Sequence, residues 1–372
     1  MLSYHFYNTN ITSLYHFCQS FFQNELTKRP LSSIITLNTL RGEAMICKLS
    51  IYESTSVDPY FNLATEKYLL DSVDETSCIL YLWQNQNTVV IGKNQNAWAE
   101  CRTSLLQEEG GKLARRLSGG GAVFHDLGNL NFTFLVGRDN YDLTRQLAVI
   151  QKACAFAGIE TTRSGRNDIL ADGRKFSGNA FYHSGTCAYH HGTLLIDSDM
   201  EKLQRYLSPS KAKLEAKGVC SVRSRVINLK ELSAGLTCQT MKDNMKKAFC
   251  DVYGLCAETI TLTDEALSSI NKLGRSYADW NYLYGAPLPF SFCCESRFDW
   301  GGIELQLQAK SGIITAAKVY SDAMDWQLPS AVENALVGCR FTQNDIKNAL
   351  NNILADSQII KDLCDLIDAQ EL

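Results

Sequence analysis

Short runs of β-branched and apolar residues, separated by tight-turn signals, constrain this chain more than any other feature. Ile79 to Trp83 and Thr88 to Gly92 flank the polar stretch Gln84-Asn85-Gln86-Asn87, which reads as a hairpin. Val123 to His125 and Leu130 to Val136 flank Asp126-Leu127-Gly128-Asn129 and read the same way. Asp168-Ile169-Leu170 and Arg174-Lys175-Phe176 flank Ala171-Asp172-Gly173; Asp-Gly is a strong turn cue because glycine accepts positive φ. Leu194-Leu195-Ile196 is a further buried strand. Hairpins outnumber strand-helix-strand crossovers, so the expected fold is α+β: a mixed, mainly antiparallel sheet with packed helices, not a doubly wound one.

Helix signals fill the gaps between these strands. Asp58 caps and Pro59 starts a helix whose apolar residues Phe61, Ala64, Tyr68 and Leu69 recur at spacings of three and four. A second helix covers Leu143 to Phe156 and stops at Gly158; residues 237 to 272 are largely helical. Gly285-Ala286-Pro287-Leu288-Pro289 follows and reads as a linker. Beyond it come strands at Arg297 to Gln308 and Ile313 to Tyr320, then amphipathic helices at Pro329 to Leu336 and Gln343 to Leu354. A chain of 372 residues exceeds one ordinary core, so two domains are expected, 45–284 and a small α+β unit at 285–372. Met45 opens a strand-like run, and the expectation is that it is the native start and that 1–44 is a tail without the marks of a presequence.

Composition excludes several classes. A net charge of -4 provides no basic field for nucleic acid. No apolar run approaches the roughly 20 residues that span a bilayer, so no membrane role is expected. The 14 cysteines include no Cys-x-x-Cys, which argues against zinc ribbons and for free thiols in a reducing cytoplasm.

Chemistry concentrates in two stretches. In Arg115-Arg116-Leu117-Ser118-Gly119-Gly120-Gly121-Ala122-Val123-Phe124-His125, three glycines let backbone amides approach an anion while the arginines supply charge. Neither the Walker nor the Rossmann spacing is present. In the second stretch, Ser164-Gly165-Arg166-Asn167-Asp168 precedes Lys175 and Ser177-Gly178-Asn179-Ala180. A lysine can hold a carboxylate against a phosphate, and Asp168 can hold Mg2+ beside the phosphates. His190 and His191 are adjacent in a strand, face opposite ways and cannot share one ion, so at most one lines a site.

These stretches, with His190 to Leu195, Leu214-Glu215-Ala216-Lys217-Gly218 and Ser221 to Val226, resemble the lipoate-protein ligase A family from Asp58 to the end of the chain. The resemblance implies a catalytic domain like that of biotin protein ligases and class II aminoacyl-tRNA synthetases, followed by an accessory domain. It implies ATP-dependent activation of lipoate to lipoyl-AMP, then transfer to a lysine of apo lipoyl domains of E2 subunits and glycine cleavage H protein. By position, Lys175 is then the catalytic residue and meets both lipoate and ATP. Arg116, Gly121, Ala122, Val123 and Phe124 bind ATP, and Ser118 and His125 approach lipoate. Leu117, Val123 and Phe176 are candidate walls for the dithiolane.

Three rivals follow from the same residues. A transferase acting through a cysteine thioester would need a thiol shortly before Lys175, where the chain reads Gly165-Arg166-Asn167-Asp168; Cys187 lies beyond it. A non-catalytic carrier would bind without turnover. A biotin ligase would carry a Gly-Arg-Gly type loop in place of Ser118-Gly119-Gly120-Gly121.

Overall fold

The structure is a computed structural model and describes residues 45–165, 168–207, 226–284, 292–310, 312–353 and 357–370. The expected linker at 285–289, the upstream 1–44, Arg166, Asn167 and the motifs between 214 and 225 lie outside the described residues.

In chain order the first strands are β1 (Lys48–Glu53), β2 (Ser77–Trp83), β3 (Thr88–Ile91), β4 (Lys112–Arg115), β5 (Val123–His125) and β6 (Asn129–Gly137). They are followed by β7 (Thr162–Ser164), β8 (Asp168–Ala171), β9 (Arg174–Ser184), β10 (Cys187–Leu195) and β11 (Ala257–Thr259). Eight of them form one sheet in the order β11-β1-β2-β6-β10-β9-β8-β7, and β4-β3-β5 form a second, small sheet. Within the large sheet only β1 pairs in parallel, with β2 and β11, so the mainly antiparallel expectation holds.

Four long helices cover the large sheet: α1 (Pro59–Ser72), α2 (Leu143–Phe156), α3 (Cys238–Tyr253) and α4 (Asp264–Tyr277). Asp58 caps α1 as its sequence requires, its carboxylate accepting from the Tyr60 and Phe61 amides at 2.9 and 3.1 Å. On one face, α2 and α3 bury Val149, Ile150, Met245 and Phe249 against Leu80, Phe132 and Phe134. On the other, α1 and α4 bury Leu63, Leu70 and Ile270 against Ile79, Tyr81 and Leu135.

Two of the three expected hairpins do not form. β2 lies in the large sheet beside β1 and β6, whereas β3 lies in the small one. β5 pairs with β3 and β6 pairs with β2 and β10, so residues 126–128 also cross between sheets. The reason is burial of polar groups that a solvent turn would expose. Asn85 is fully buried and hydrogen-bonded to Asn62 and His125. Asp126 accepts from the Gly128 and Asp199 amides and fixes the second crossing.

The third hairpin, β8-β9, does form. Asp172 and Gly173 take φ of 51° and 70°, the left-handed pair that a two-residue turn needs. Just beyond it the register slips: Ile169 opposes Ser177 but Leu170 opposes Lys175, which leaves Phe176 as the extra residue of a bulge. Strand alternation alone would put Phe176 on the same face as Gly178 and Ala180. The bulge reverses that parity, sending Phe176 into the α2-α3 core and Lys175 to the α1 side.

The C-terminal unit is a three-stranded antiparallel sheet, β12 (Phe292–Phe298), β13 (Gly301–Lys310) and β14 (Ile313–Ser321). The single strand expected at Arg297 to Gln308 is therefore the end of β12, a turn at Asp299-Trp300 and β13. Helices α5 (Leu328–Leu336), α6 (Gln343–Asn351) and α7 (Ser357–Asp368) pack on it, the last of which the sequence reading missed. Ala323 and Trp326 reach the glycine loop region: the Gly120 amide donates to Ala323 O at 3.2 Å and the Asn94 amide group to Trp326 O at 2.8 Å.

Candidate functional site

Between the α1 side of the large sheet and the small sheet lies a cleft of about 150 Å³. Its floor is made of cross-strand neighbours. Trp83 opposes Asn131 and Asn131 opposes Thr193, while the Gly178 amide donates to Thr193 Oγ1 at 3.4 Å. Its roof is Leu63, Val90, Gly120 to Val123 and His125, and Lys175 stands at the β9 edge. Most of the wall is apolar, with a few fixed polar groups, which is the usual make-up of a small-molecule site.

The Lys175 ammonium lies 2.6 Å from Asp168 Oδ1, both side chains being about one-third exposed (36% and 34%). Its carbonyl accepts from the Ile227 amide at 3.0 Å, which ties β9 to the segment that follows residue 225. A Cβ at Gly178 would stand 3.1 Å from Lys175 Nζ, so a side chain there would push the ammonium aside by a few tenths of an ångström. The cation is thus aimed along the floor, where a carboxylate and a phosphate would meet it.

The two arginines do different work. Arg115 points away from the cleft and clamps carbonyls of Gly92, Lys93, Gln95 and Leu283, at 2.7 to 3.1 Å. Arg116 lines the cleft, but its guanidinium is turned inward onto the glycine loop. It donates to Gly119 O at 2.8 Å, Gly121 O at 2.7 Å, Val90 O at 3.2 Å and Ser118 Oγ at 3.1 Å. Burial lowers its pKa to about 10, which still leaves it charged at neutral pH. Arg116 therefore shapes the loop from beneath, and most of its donors are occupied.

Ser118 belongs to a relay that the sequence reading did not find. His191 bonds Glu66 Oε1 through Nδ1 at 2.8 Å and the Ser118 hydroxyl through Nε2 at 2.7 Å. Thr133 Oγ1 also donates to Glu66 Oε1, at 2.7 Å, and receives the Trp83 indole N–H at 3.2 Å. The chain of bonds joins the Trp83 floor to the Arg116-braced loop. It looks like a Ser-His-Glu triad, yet Ser118 is wholly buried and already accepts from Arg116, so it is not an exposed nucleophile. Glu66 had a sequence signal: with Asn62 it makes a polar i, i+4 pair on the buried face of α1.

Of the other expected residues, Gly121, Ala122, Val123 and His125 line the cleft. Phe124 does not; its ring packs on Tyr206 on the far side of the small sheet, so only its backbone can face a ligand. Phe176 is likewise no wall residue, for the bulge turns it away, and Leu117 packs with the α1-side core. His190 and His191 face opposite ways as expected. His190 bonds Asn179 Oδ1 at 2.8 Å and Gln146 at 3.1 Å. Among the described residues no three His, Cys, Asp or Glu side chains cluster as a metal site.

Burial pushes the His125 and His190 imidazoles down to about 3, from an ordinary 6.5, assisted at His125 by Arg116 and His191. Below pH 6.5 the unfolded chain gains protons that these rings refuse, so stability falls as the pH drops from about 6.5 towards 3. The slope expected is up to about 1.4 kcal/mol per pH unit for each ring. Urea unfolding between pH 7 and 5 should show it, and His190→Gln should flatten it by one ring's share.

A mostly apolar pocket with one ammonium at its edge and a glycine turn over it has the make-up of a site for a small acid with an apolar tail. Residues 58–250 match the lipoyl protein ligase A/B catalytic domain, and 288–367 match the bacterial lipoate protein ligase C-terminus. Lipoate-protein ligase A of Psychrobacter cryohalolentis is 40% identical over 308 residues, covering 81% of this chain and 91% of that protein. The Blochmanniella pennsylvanica enzyme of the same description is 39% identical over 309 residues, with the same coverage of 81% and 91%. Among solved structures, P. falciparum LipL1, in complex with lipoate, superimposes with a TM-score of 0.77 at 28% identity, over 87% of this chain and all of that one. The chain belongs to the lipoate-protein ligase A family and is a ligase.

Proposed function

We propose that this chain joins lipoate to ATP, releasing pyrophosphate, and then passes the lipoyl group to a lysine amine of an apo lipoyl domain, releasing AMP. The observation that carries the reading is the Lys175 ammonium, turned by the β9 bulge to the mouth of an apolar cleft beside the Gly119-Gly120-Gly121 turn. Lipoate and the α-phosphate are both anions, and a fixed cation between them removes the repulsion that keeps them apart. In the second step charge builds on the same oxygens, so the same ammonium serves again.

ATP enters with Mg2+ as its counter-ion. Asp168 can contribute one carboxylate oxygen, the phosphates and water the rest, which is how Mg2+ is usually held in nucleotide sites. The carriers proposed are E2 subunits and glycine cleavage H protein. A reducing cytoplasm is the proposed setting: the 12 cysteines among the described residues are all free, and no helix there is long and apolar enough to cross a membrane. Residues 45–284 and 285–372 are proposed as the catalytic and accessory domains.

A thioester transferase is disfavoured by placement. Cys187 bonds the Val73 carbonyl at the opposite end of β10, six residues from Thr193, or about 20 Å along a strand. Lipoate-dependent pyrophosphate release by the full chain tests the proposal. Release should require both ATP and lipoate; a chain that releases no pyrophosphate from ATP and lipoate yet modifies the carrier from an acyl thioester would overturn it.

A further inference from the structure

Arg115 is buried, and among the described residues every hydrogen-bond partner of its guanidinium is a backbone carbonyl. Three of these carbonyls, of Gly92, Lys93 and Gln95, belong to the turn that follows β3. The other two, of Tyr282 and Leu283, end the short helix Trp280–Tyr284, from which the chain continues to the C-terminal unit. Burying a charge costs desolvation, so space-filling does not account for this arginine. It ties two segments together.

The braced turn stands between the glycine turn and the C-terminal unit. On one side the Lys93 amide donates to Ser118 O at 2.9 Å, and a Cβ on Gly92 would stand 2.3 Å from Gly120 O, so the two turns are in backbone contact. On the other side Asn94 O accepts from the Ser321 amide at 2.9 Å, and the Asn94 side chain donates to Trp326 O at 2.8 Å. Lys93 Nζ lies 3.8 Å from the centre of the Trp326 ring. Lys93, Asn94, Ser321 and Trp326 are not among the residues that line the cleft.

The glycine turn meets the same unit directly. A Cβ on Gly119 would stand 2.3 Å from Ala323 O, and the Gly120 amide already donates to that carbonyl. Of the three glycines only Gly121 has open space where a Cβ would be. The roof over the cleft is therefore set from outside, at one point by Ala323 and at another by the turn that Arg115 braces.

We propose that Arg115 is a positioning residue for the ligation: it makes the Gly92–Gln95 turn a rigid spacer through which Trp326, outside the cleft, sets the height of the glycine turn within it. The inference rests on the ligase reading above. Arg115 and Trp326 share no printed contact with each other; both act on the same turn, Arg115 through its carbonyls and Trp326 through Lys93 and Asn94. Two residues that act through one shared element give effects that do not add.

The test is a double-mutant cycle on lipoate-dependent pyrophosphate release by the full chain, with Arg115→Lys and Trp326→Leu. Each single variant should lose about tenfold in kcat, as a displaced roof misaligns the reacting groups, and the KM for lipoate should stay within about twofold. The double variant should lose about 10- to 20-fold rather than the roughly 100-fold of independent sites. A product of the two losses, or a Trp326→Leu chain as fast as wild type, would overturn the inference and leave the ligase reading intact. A merely structural arginine would lower the denaturant midpoint and still give that product. If Arg115→Lys does not fold, Asn94→Ala decides, since it removes only the side-chain bond to Trp326 O. It should lose about fivefold in kcat at an unchanged midpoint; an unchanged kcat would contradict the assignment. A wild-type chain that releases no pyrophosphate would overturn the ligase reading and this one together.

Discussion

Lys175→Ala slows lipoate-dependent pyrophosphate release by about 10² to 10³, the loss expected when one preorganised charge donor is removed from a developing anion. The geometry makes the effect local. Lys175 sits at the bulge and its side chain meets Asp168 and the open floor above Gly178, so truncation removes a cation without opening a core. Thermal stability should move little, because the ion pair is about one-third exposed and such pairs contribute about 1 kcal/mol or less. Transfer from chemically made lipoyl-AMP should slow as well, since the same oxygens bear charge in that step. Asp168→Asn leaves the ammonium present but less fixed, and a smaller loss is expected. Single-turnover rates for the two half-reactions check the three kinetic outcomes, and thermal melts check the stability.

Arg116→Met should be damaging in a different way. Its guanidinium is buried under the glycine turn, and its removal leaves carbonyls of Val90, Gly119 and Gly121 without that donor. Stability should fall by about 2–4 kcal/mol, as buried groups lose their partners. Activity should fall by about 10² through displacement of the loop amides rather than through a lost ligand contact. The two effects can be told apart from those of Lys175→Ala by denaturant midpoints, which should drop for Arg116→Met and hold for Lys175→Ala. The Ser118–His191–Glu66 relay should loosen in the same variant, because Arg116 is one of the donors that fix Ser118.

Much of this was legible in the sequence because it depended on local rules. Asp58-Pro59 marks a helix start wherever the helix packs, and Asp172-Gly173 makes its turn from backbone preference alone. Sheet membership was not legible. The stretch from Gln84 to Asn87 looks like a hairpin tip, and only the tertiary structure shows that Asn85 is buried because Asn62 and His125 need it. The functional groups on α1 were hidden by the same bias. An apolar-periodicity reading counts Phe61, Ala64 and Leu69, and passes over Asn62 and Glu66, whose burial beside them is what makes that helix part of the site. Phe176 was misplaced for a related reason: it is reversed by a bulge that no residue pattern announces.

Intact mass measurement of an apo lipoyl domain, incubated with the chain, lipoate, Mg2+ and ATP, tests the central claim most directly. The account predicts a gain of one lipoyl amide on a single lysine that vanishes when ATP is withheld or Lys175 is changed to Ala. Modification that proceeds equally without ATP, or with the Lys175→Ala chain, would contradict it.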